Sequence, residues 1–294
     1  MSTLAEILSP SFLLHDALVA SILVGLVCPL VGVYFVLRRM IFLGVALPQV
    51  SAAGIACAFL VYNLTVGPHE TVAVSEHLLA IAGSLVFTLV TTVVLAVLER
   101  RGHEKTEMRI GTTYAVAAAA TILLLSKDPH GDAQMVSMLK GDILATTGTS
   151  LAWMTWILGA VVLALFAFRK ELLLVSFDRD LAVVFGKRAT LWDVVLYLLI
   201  GIVISLGVMS AGPMATFGFL VIPPATVRLI TRRMVTFSLG AAALGAGSAL
   251  GGFYCAYRFD LPLGPAEVGL SSVILGLVIG ANAIRRARVP GRSR

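Results

Sequence analysis

Residues 12–39 read FLLHDALVASILVGLVCPLVGVYFVLRR, a largely apolar run that two arginines close. The run exceeds the roughly 20 apolar residues that cross a bilayer as an α-helix. Over all 294 residues the mean hydropathy is +0.97, and 59% of residues are hydrophobic while 13% are charged. Such a chain has more apolar surface than a water-soluble core can hide. In lipid, runs this long form helices because a helix satisfies the hydrogen bonds of its own backbone. The sequence therefore predicts an all-α, polytopic membrane helical bundle.

Apolar runs of similar length recur along the chain and predict about nine membrane spans. Their approximate limits are 12–37, 42–64, 78–98, 110–126, 152–168, 190–209, 214–231, 235–257 and 267–284. The count falls to eight if 42–64 or 214–231 enters the membrane only partway. The polar intervals are too short for a soluble domain, so residues 1–294 are predicted to form a single transmembrane domain.

The basic residues are concentrated in alternate connections between these spans. Of the 22 lysines and arginines, all but Lys127, Lys140 and Arg258 follow the odd-numbered spans. By the positive-inside rule that side is cytoplasmic, so the C-terminus is inside and nine spans place the N-terminus outside. An eight-span count would move the N-terminus. No basic residue precedes Arg38, so we expect span one to be retained rather than cleaved.

Several other functions lack the residues that they need. The net charge is +6, but the basic residues lie beside the spans rather than along one soluble face, which argues against a nucleic-acid partner. No P-loop is present, so an active pump would take its energy from a partner. An intramembrane enzyme would need paired catalytic groups, and Asp193 is expected to stand alone. A gradient-driven secondary transporter remains an alternative, although we find neither an ion relay nor an internal repeat.

The polar interval at 169–189 predicts a short cytoplasmic helix. Ser176 is a candidate N-cap, Asp178 and Asp180 favour the first turn, and Gly186 favours termination. Three residues at helical spacing form an apolar face: Leu181, Val184 and Phe185. Such a helix either docks into a groove of another subunit or lies in the lipid headgroups.

Five short segments stand out in order along the chain: Arg38-Arg39-Met40 with Leu43-Gly44, LKGDILA at 139–145, FDRDLA at 177–182 with Gly186, LVIPPAT at 220–226, and DLPLGP at 260–265. Segments like these occur in the same order in permease subunits of bacterial ABC importers for zinc, manganese and iron. The chain resembles that family over about residues 15–285. The resemblance implies a multi-pass permease subunit in a bacterial inner membrane.

The resemblance also implies partners. These are a second permease copy or a paralogue, two cytoplasmic ATPase subunits that use ATP and magnesium, and an extracytoplasmic solute-binding protein. This chain itself would bind no cofactor and catalyse no reaction. The family's role of coupling to the ATPase falls on residues of the cytoplasmic segment: Asp178, Asp180, Leu181, Ala182 and Gly186. For this segment, contact with the ATPase is therefore favoured over a position in the lipid headgroups.

The second span departs from the family pattern. Members that move a bare divalent metal typically carry an Asp there and a His four residues later, where this chain has Val45 and Gln49. A spacing of four places both on one helical face, and Pro48 interrupts the backbone hydrogen bonds beside them. Valine has no ligand atom and a lone amide is a poor ligand. We predict that Val45, Pro48 and Gln49 line the pathway without forming a metal site.

This departure leaves the solute open. A divalent metal ion is favoured by the resemblance, either passed without coordination at this level or bound by a paralogue that retains the ligands. A metal chelate or a small organic solute is the alternative. Loop residues that could receive a metal or dock the binding protein, but that are more simply solvated, are His69, Glu70, Glu76, His77, Asp128, His130, Asp132 and Asp142.

The later spans contain breaks and small residues. Candidate gate or hinge residues are Gly212, Pro213, Pro223 and Pro224. Glu267 is a candidate contact for the binding protein. Small residues crowd 240–252 and predict close helix packing, either at a dimer seam or, as we favour, within one subunit. Cys28, Cys57 and Cys255 lack metal-site spacing and are expected to pack within spans.

Overall fold

A computed structural model describes residues 14–66, 73–99, 106–127 and 148–287. All regular secondary structure in these ranges is helical, which confirms the predicted all-α class. In chain order the helices are α1 (His15–Arg38), α2 (Leu43–Val66), α3 (Ala73–Glu99), α4 (Thr106–Leu125), α5 (Gly148–Ala167), α6 (Arg169–Phe177), α7 (Arg179–Val184), α8 (Ala189–Arg228), α9 (Met234–Phe259) and α10 (Leu263–Ala287).

The long helices of the described ranges are membrane spans by length and composition. Seven are long and apolar enough to cross a membrane, and α3 contributes the shorter apolar stretch Leu79–Leu95. Each predicted span coincides with one of these helices or with one part of α8. The prediction of a polytopic bundle is therefore confirmed.

Helix α8 is broken at Gly212. This residue has φ 83° and ψ 164°, a backbone conformation that residues with a Cβ rarely adopt. A Cβ placed on Gly207 would lie 3.0 Å from the side chain of Thr216. In a straight helix these two residues would lie about 13 Å apart along the helix axis. The chain therefore folds back at Gly212 into two limbs, residues 189–211 and 213–228, which correspond to the separate spans predicted at 190–209 and 214–231.

Helices α1 and α8 form the centre of the bundle. Their most apolar stretches are mostly buried, whereas those of α4, α5 and α10 are mostly exposed. Large apolar side chains such as Trp153 and Trp156 of α5 point outward. In a membrane protein such faces contact lipid or another subunit, since hydrocarbon imposes no cost on them.

Small residues allow α1 to approach its neighbours closely. A Cβ on Gly245 of α9 would lie 2.0 Å from the carbonyl oxygen of Gly25, and one on Gly32 would lie 1.9 Å from that of Leu220. Neither position tolerates a side chain without movement of the backbone. The small residues of 240–252 thus pack within the subunit, as predicted.

The predicted cytoplasmic connections meet at one end of the bundle. Val33, near the end of α1, packs with Val227 at the end of α8 and Phe237 at the start of α9. The Arg228 guanidinium lies 5.6 Å from the centre of the Phe237 ring. The ends of α1 and α8 and the start of α9 therefore share one level, which agrees with their predicted placement on one side of the membrane.

Candidate functional site

A cavity of about 440 Å³ lies between α2, α4 and the second limb of α8. Val45, Pro48 and Gln49 line it from α2. Pro213, directly after the break in α8, lines it from the other side. The structure therefore brings the three predicted pathway residues together with one of the predicted gate residues.

The turn before α2 explains this placement. Arg39 adopts a left-handed conformation (φ 56°) that ends α1, and α2 begins at Leu43. Val45 and Gln49 are one helical turn apart and face the cavity, while Ala46 and Leu47 are fully buried against the bundle. The shared face predicted from the spacing of four is thus the cavity face.

Among the residues that the structure describes, the cavity lining carries no charge. Its polar side chains are the Gln49 amide, the Tyr114 phenol and the Thr121 hydroxyl, and Thr121 donates a hydrogen bond to the carbonyl oxygen of Ala117 (2.9 Å). Within the described ranges, no three His, Cys, Asp or Glu side chains group into a metal site. Neutral oxygens can contact a cation in passing but are weak ligands for zinc, manganese or iron.

Pro223 and Pro224 lie away from this cavity. Both are buried in the second limb of α8, and Pro224 lies against Gly32 of α1. A proline at 224 removes the helical donor of the Leu220 carbonyl, and that oxygen faces Gly32. The two prolines therefore shape the contact with α1, and their role as hinge residues stays a prediction.

The predicted cytoplasmic helix is a pair of short helices, α6 and α7. Asp178 is the N-cap of α7, because its carboxylate accepts a hydrogen bond from the Leu181 N–H (2.9 Å). The expectation that Ser176 is the cap is wrong: this residue is buried in the last turn of α6, where its hydroxyl donates to the Leu172 carbonyl (2.6 Å). Gly186 has φ 71° and follows the end of α7, as predicted.

Helix α7 and the residue after it present apolar side chains outward. Val184 is 81% exposed and Phe185 66%, and Leu181 is also exposed. On the opposite face Ala182 is fully buried in a small cluster with Val175. We call the exposed residues Asp180, Leu181, Val184 and Phe185 the coupling surface, after the role that the sequence predicts for this segment. An apolar surface of this kind at the basic end of the bundle suits contact with another protein.

Arg38 links this segment to the central helices. Its Nε donates to the Ser176 hydroxyl (3.1 Å), and its Nη2 lies 2.8 Å from Oδ1 of Asp193 near the start of α8. The guanidinium also lies 5.7 Å from the centre of the Tyr197 ring. The expectation that Asp193 stands alone is therefore wrong. Opposite charges at the same predicted membrane boundary were the sequence signal for this pair.

A second ion pair joins the start of α6 to the segment after α7. Nζ of Lys187 lies 3.4 Å from Oε1 of Glu171. A backbone hydrogen bond, and then Lys187, lower the pKa of Glu171. Exposed pairs of this kind contribute little stability, so the contact mainly orients the two segments.

Glu267 lies inside the bundle. It is fully buried in α10, and its Oε1 accepts a hydrogen bond from the Ser21 hydroxyl of α1. Its other oxygen, and the buried Ser271 hydroxyl one turn later, have no hydrogen-bond partner among the described residues. The expectation that Glu267 docks a binding protein is therefore wrong. Its position within a predicted apolar span was the signal for burial.

The loop residues predicted as alternative metal-receiving or docking residues cannot be placed. His69, Glu70, Asp128, His130, Asp132 and Asp142 lie outside the described residues, and so do the side chains of Glu76 and His77. Among the cysteines, Cys28 is buried and Cys57 and Cys255 are partly buried, and all are free thiols. Their predicted packing role agrees with this placement.

A polytopic helical bundle with a cavity at a broken helix, and with an exposed apolar helix at its basic end, is consistent with the membrane subunit of a transporter. The chain belongs to the ABC 3 transport family, whose family model matches residues 11–281. It is a multi-pass permease subunit of an ABC importer, a system in which a separate subunit hydrolyses ATP. The family predicted from five short segments is thereby confirmed.

Individual relatives match along most of their length. The manganese import system permease protein ScaB of Streptococcus gordonii is 28% identical over 267 residues, which cover 90% of this chain and 89% of ScaB. The manganese transport system membrane protein MntC of Halalkalibacterium halodurans is 27% identical over 273 residues, covering 92% and 88%. The solved structure of PsaBC from Streptococcus pneumoniae with a Fab shares the fold, with a TM-score of 0.77 and 23% identity over 94% of both chains.

Proposed function

We propose that this chain forms the pore of an ATP-driven importer of divalent metal ions, with manganese as the first candidate. The observation that carries the proposal is the similarity to manganese import permeases over about nine-tenths of the chain. Zinc and iron, which the sequence resemblance also implied, are the next candidates.

The cavity supports a pathway that does not retain the ion. A carboxylate and an imidazole one turn apart would hold a transition metal, whereas Val45 and Gln49 offer one amide oxygen. Weak contacts to Gln49 and Tyr114 would let an ion pass. A paralogue carrying the Asp and the His would add a binding step, while a second copy of this chain would not.

The same lining favours a second candidate function. A cavity that is mainly apolar with a few polar groups is typical of sites for organic molecules. A metal chelate or a small organic solute would bury its own apolar surface there and would need no metal ligand from the protein. This second candidate function predicts that the transporter recognises the intact chelate or organic solute rather than a metal ion.

The inferred assembly contains two permease chains, two ATPase subunits that use ATP and magnesium, and an extracytoplasmic solute-binding protein. The second permease is either another copy or a paralogue. The coupling surface of α7 supports an ATPase contact, since its exposed apolar side chains lie at the predicted cytoplasmic end. This chain would contribute no cofactor, no catalytic residue and no nucleic-acid contact.

Coupling would reach the cavity through named contacts. Movement of Asp178, Leu181, Ala182 or Gly186 displaces α6, whose Ser176 is bonded to Arg38. Arg38 ends α1 and pairs with α8, the helix that carries the break at Gly212 and Pro213. Pro223 and Pro224 weaken the second limb of α8 and so make it the element most able to bend.

The test is solute-dependent ATPase stimulation of the complete complex in liposomes, together with uptake of radioactive manganese. The binding protein is offered with manganese, zinc, iron or no metal. Stimulation and uptake with one loaded form support the metal importer. Stimulation by a chelate alone supports the second candidate. An ATPase that hydrolyses ATP but responds to none of the metal-loaded forms overturns the metal proposal.

A further inference from the structure

A second cavity, of about 310 Å³, forms a groove on the outer surface of the bundle between α1, α5, α6 and α9. Leu30 lines it from α1, Leu165 from α5 and Leu239 from α9. Arg169 and Lys170 are the only charged residues in the part of the lining that the structure describes. The groove is therefore apolar along most of its surface and cationic in one place.

The cationic part lies at the predicted cytoplasmic boundary of the membrane. Arg169 and Lys170 begin α6 directly after α5, and Met234, also in the groove, begins α9. Leu30 precedes Arg38 by two helical turns, or about 12 Å, so the apolar part extends into the hydrocarbon region. This arrangement matches an amphiphile whose headgroup lies at that boundary.

The two cations are available to a ligand. Both are exposed, and neither forms a salt bridge with a described residue. The adjacent carboxylate, Glu171, pairs with Lys187 instead. Arg233, which immediately precedes α9, adds a further positive charge beside the groove.

We propose that this groove binds one anionic phospholipid of the cytoplasmic leaflet, with an acyl chain along Leu30, Leu165 and Leu239 and its phosphate at Arg169 and Lys170.

Charge complementarity favours this lipid over other occupants. In a two-fold dimer whose axis is normal to the membrane the same patch would face itself, so the cations of the two copies would repel each other. A free phosphate ion would use the cations but leave the apolar groove uncovered. A neutral phospholipid would fill the groove with no net charge to offset the two cations. An anionic phospholipid both fills the apolar groove and supplies a negative charge for the two cations.

A bound lipid would also hold the segment that leads to α7. Arg169 and Lys170 belong to α6, so a phosphate there would fasten α6 against α1 and α9. This consequence rests on the proposed coupling function. Lipid binding itself depends on neither the solute nor the ATPase, so the two proposals can fail separately.

The test is native mass spectrometry of the purified full-length chain with phosphatidylglycerol or phosphatidylcholine of identical acyl chains. We expect one tightly retained phosphatidylglycerol per chain. The double variant Arg169→Gln/Lys170→Gln should weaken that binding roughly thirtyfold, the effect of two basic contacts to an anionic headgroup. The matched control Arg285→Gln/Arg286→Gln removes two charges at the end of α10 and should leave it unchanged.

Two further variants separate the two parts of the site. Arg169→Lys/Lys170→Arg changes both side chains but keeps both charges, and it should keep lipid binding. A loss seen only in Arg169→Gln/Lys170→Gln is then due to the missing charges rather than to substitution at these positions. Leu239→Trp fills the groove without changing charge and should weaken binding as well. Equal retention of the two lipids, unchanged binding in the Gln variant, or displacement of the lipid by inorganic phosphate alone would overturn the proposal. The proposal would also be overturned if Leu239→Trp converted a dimer to a monomer while lipid binding persisted, because the occupant of the groove would then be a second copy of the chain.

Discussion

Nη2 of Arg38 lies 2.8 Å from Oδ1 of Asp193, and the two side chains are only 10% and 11% exposed. The pair joins the end of α1 to the beginning of α8, the two helices at the centre of the bundle. A buried ion pair adds little net stability, but loss of one partner leaves an unpaired buried charge. The contact therefore specifies how the helices meet, and Ser176 extends it to the segment that carries the coupling surface.

Loss of one member of this pair should be costly. We expect Asp193→Ala to lower the free energy of unfolding by about 3 kcal/mol, because it leaves the Arg38 guanidinium buried without its counter-charge. Guanidinium-induced unfolding of the purified chain in detergent measures this change. Arg38→Met/Asp193→Leu should recover most of the loss. Glu171→Gln removes an exposed pair as a control and should cost far less, because solvent screens that pair; equal losses for Asp193→Ala and this control would contradict the prediction.

The end of α7 should be essential for coupling. Gly186→Pro should abolish transport without preventing membrane insertion, since proline cannot adopt the φ of 71° found there. Asp178→Lys should also abolish it, because the cap is lost at a cost of about 1 kcal/mol and the charge at the helix start is reversed. Solute uptake and ATPase activity of the complete complex measure the effect. Asp178→Asn keeps a capping oxygen and should retain most activity. Full transport by the proline and lysine variants would disprove the coupling assignment.

Restoring the family's metal ligands should convert the cavity into a binding site. We expect Val45→Asp/Gln49→His to retain manganese or zinc on the purified chain, because a carboxylate and an imidazole one turn apart then face the cavity. Equilibrium dialysis followed by elemental analysis measures bound metal. Val45→Asn/Gln49→Met, with weaker ligands at the same positions, is the control and should bind far less. Failure of the first variant to exceed this control would mean that the two positions do not share an accessible face.

Glu267 should act through packing and a hydrogen bond rather than by docking. Glu267→Gln can still accept the hydrogen bond from Ser21, so we expect only a small loss of stability. Glu267→Ala should cost about 2–4 kcal/mol, because it removes the acceptor and opens a cavity beside Gly252. Unfolding in detergent measures both variants. Affinity of the complex for the solute-binding protein should be unchanged in Glu267→Gln; a marked loss of that affinity with normal stability would reinstate the docking role.

Features that depend on local sequence were predictable. The spans followed from apolar length, and Gly186 marked the end of α7 because glycine adopts a positive φ easily. The shared face of Val45 and Gln49 followed from helical periodicity alone. Gly212 and Pro213 marked the break in α8 for the same local reasons. In each case the physical cause acts within a few residues of the chain.

Features that depend on distant residues were not predictable in the same way. The sequence suggested that Asp193 stands alone and that Glu267, which follows the DLPLGP segment, contacts the binding protein, since neither has its actual partner nearby along the chain. Their partners, Arg38 and Ser21, are more than 150 residues away and become neighbours only when α1 packs against α8 and α10. Ser176 was misassigned as a cap because the local pattern does not reveal that it is buried beside Arg38.

By itself, therefore, the sequence determined a helical membrane protein, the approximate limits of its spans, the side that carries the basic residues and the family to which it belongs. These properties follow from hydrophobic length, charge position and short motifs. Only the tertiary structure decided that Val45, Gln49 and Pro213 line one cavity, that Arg38 and Asp193 pair, and that a groove with a cationic end lies between α5 and α9. Such relationships depend on which helices pack together and at what rotation, and in lipid that choice is made by side-chain packing, because apolar burial favours no particular pair of helices.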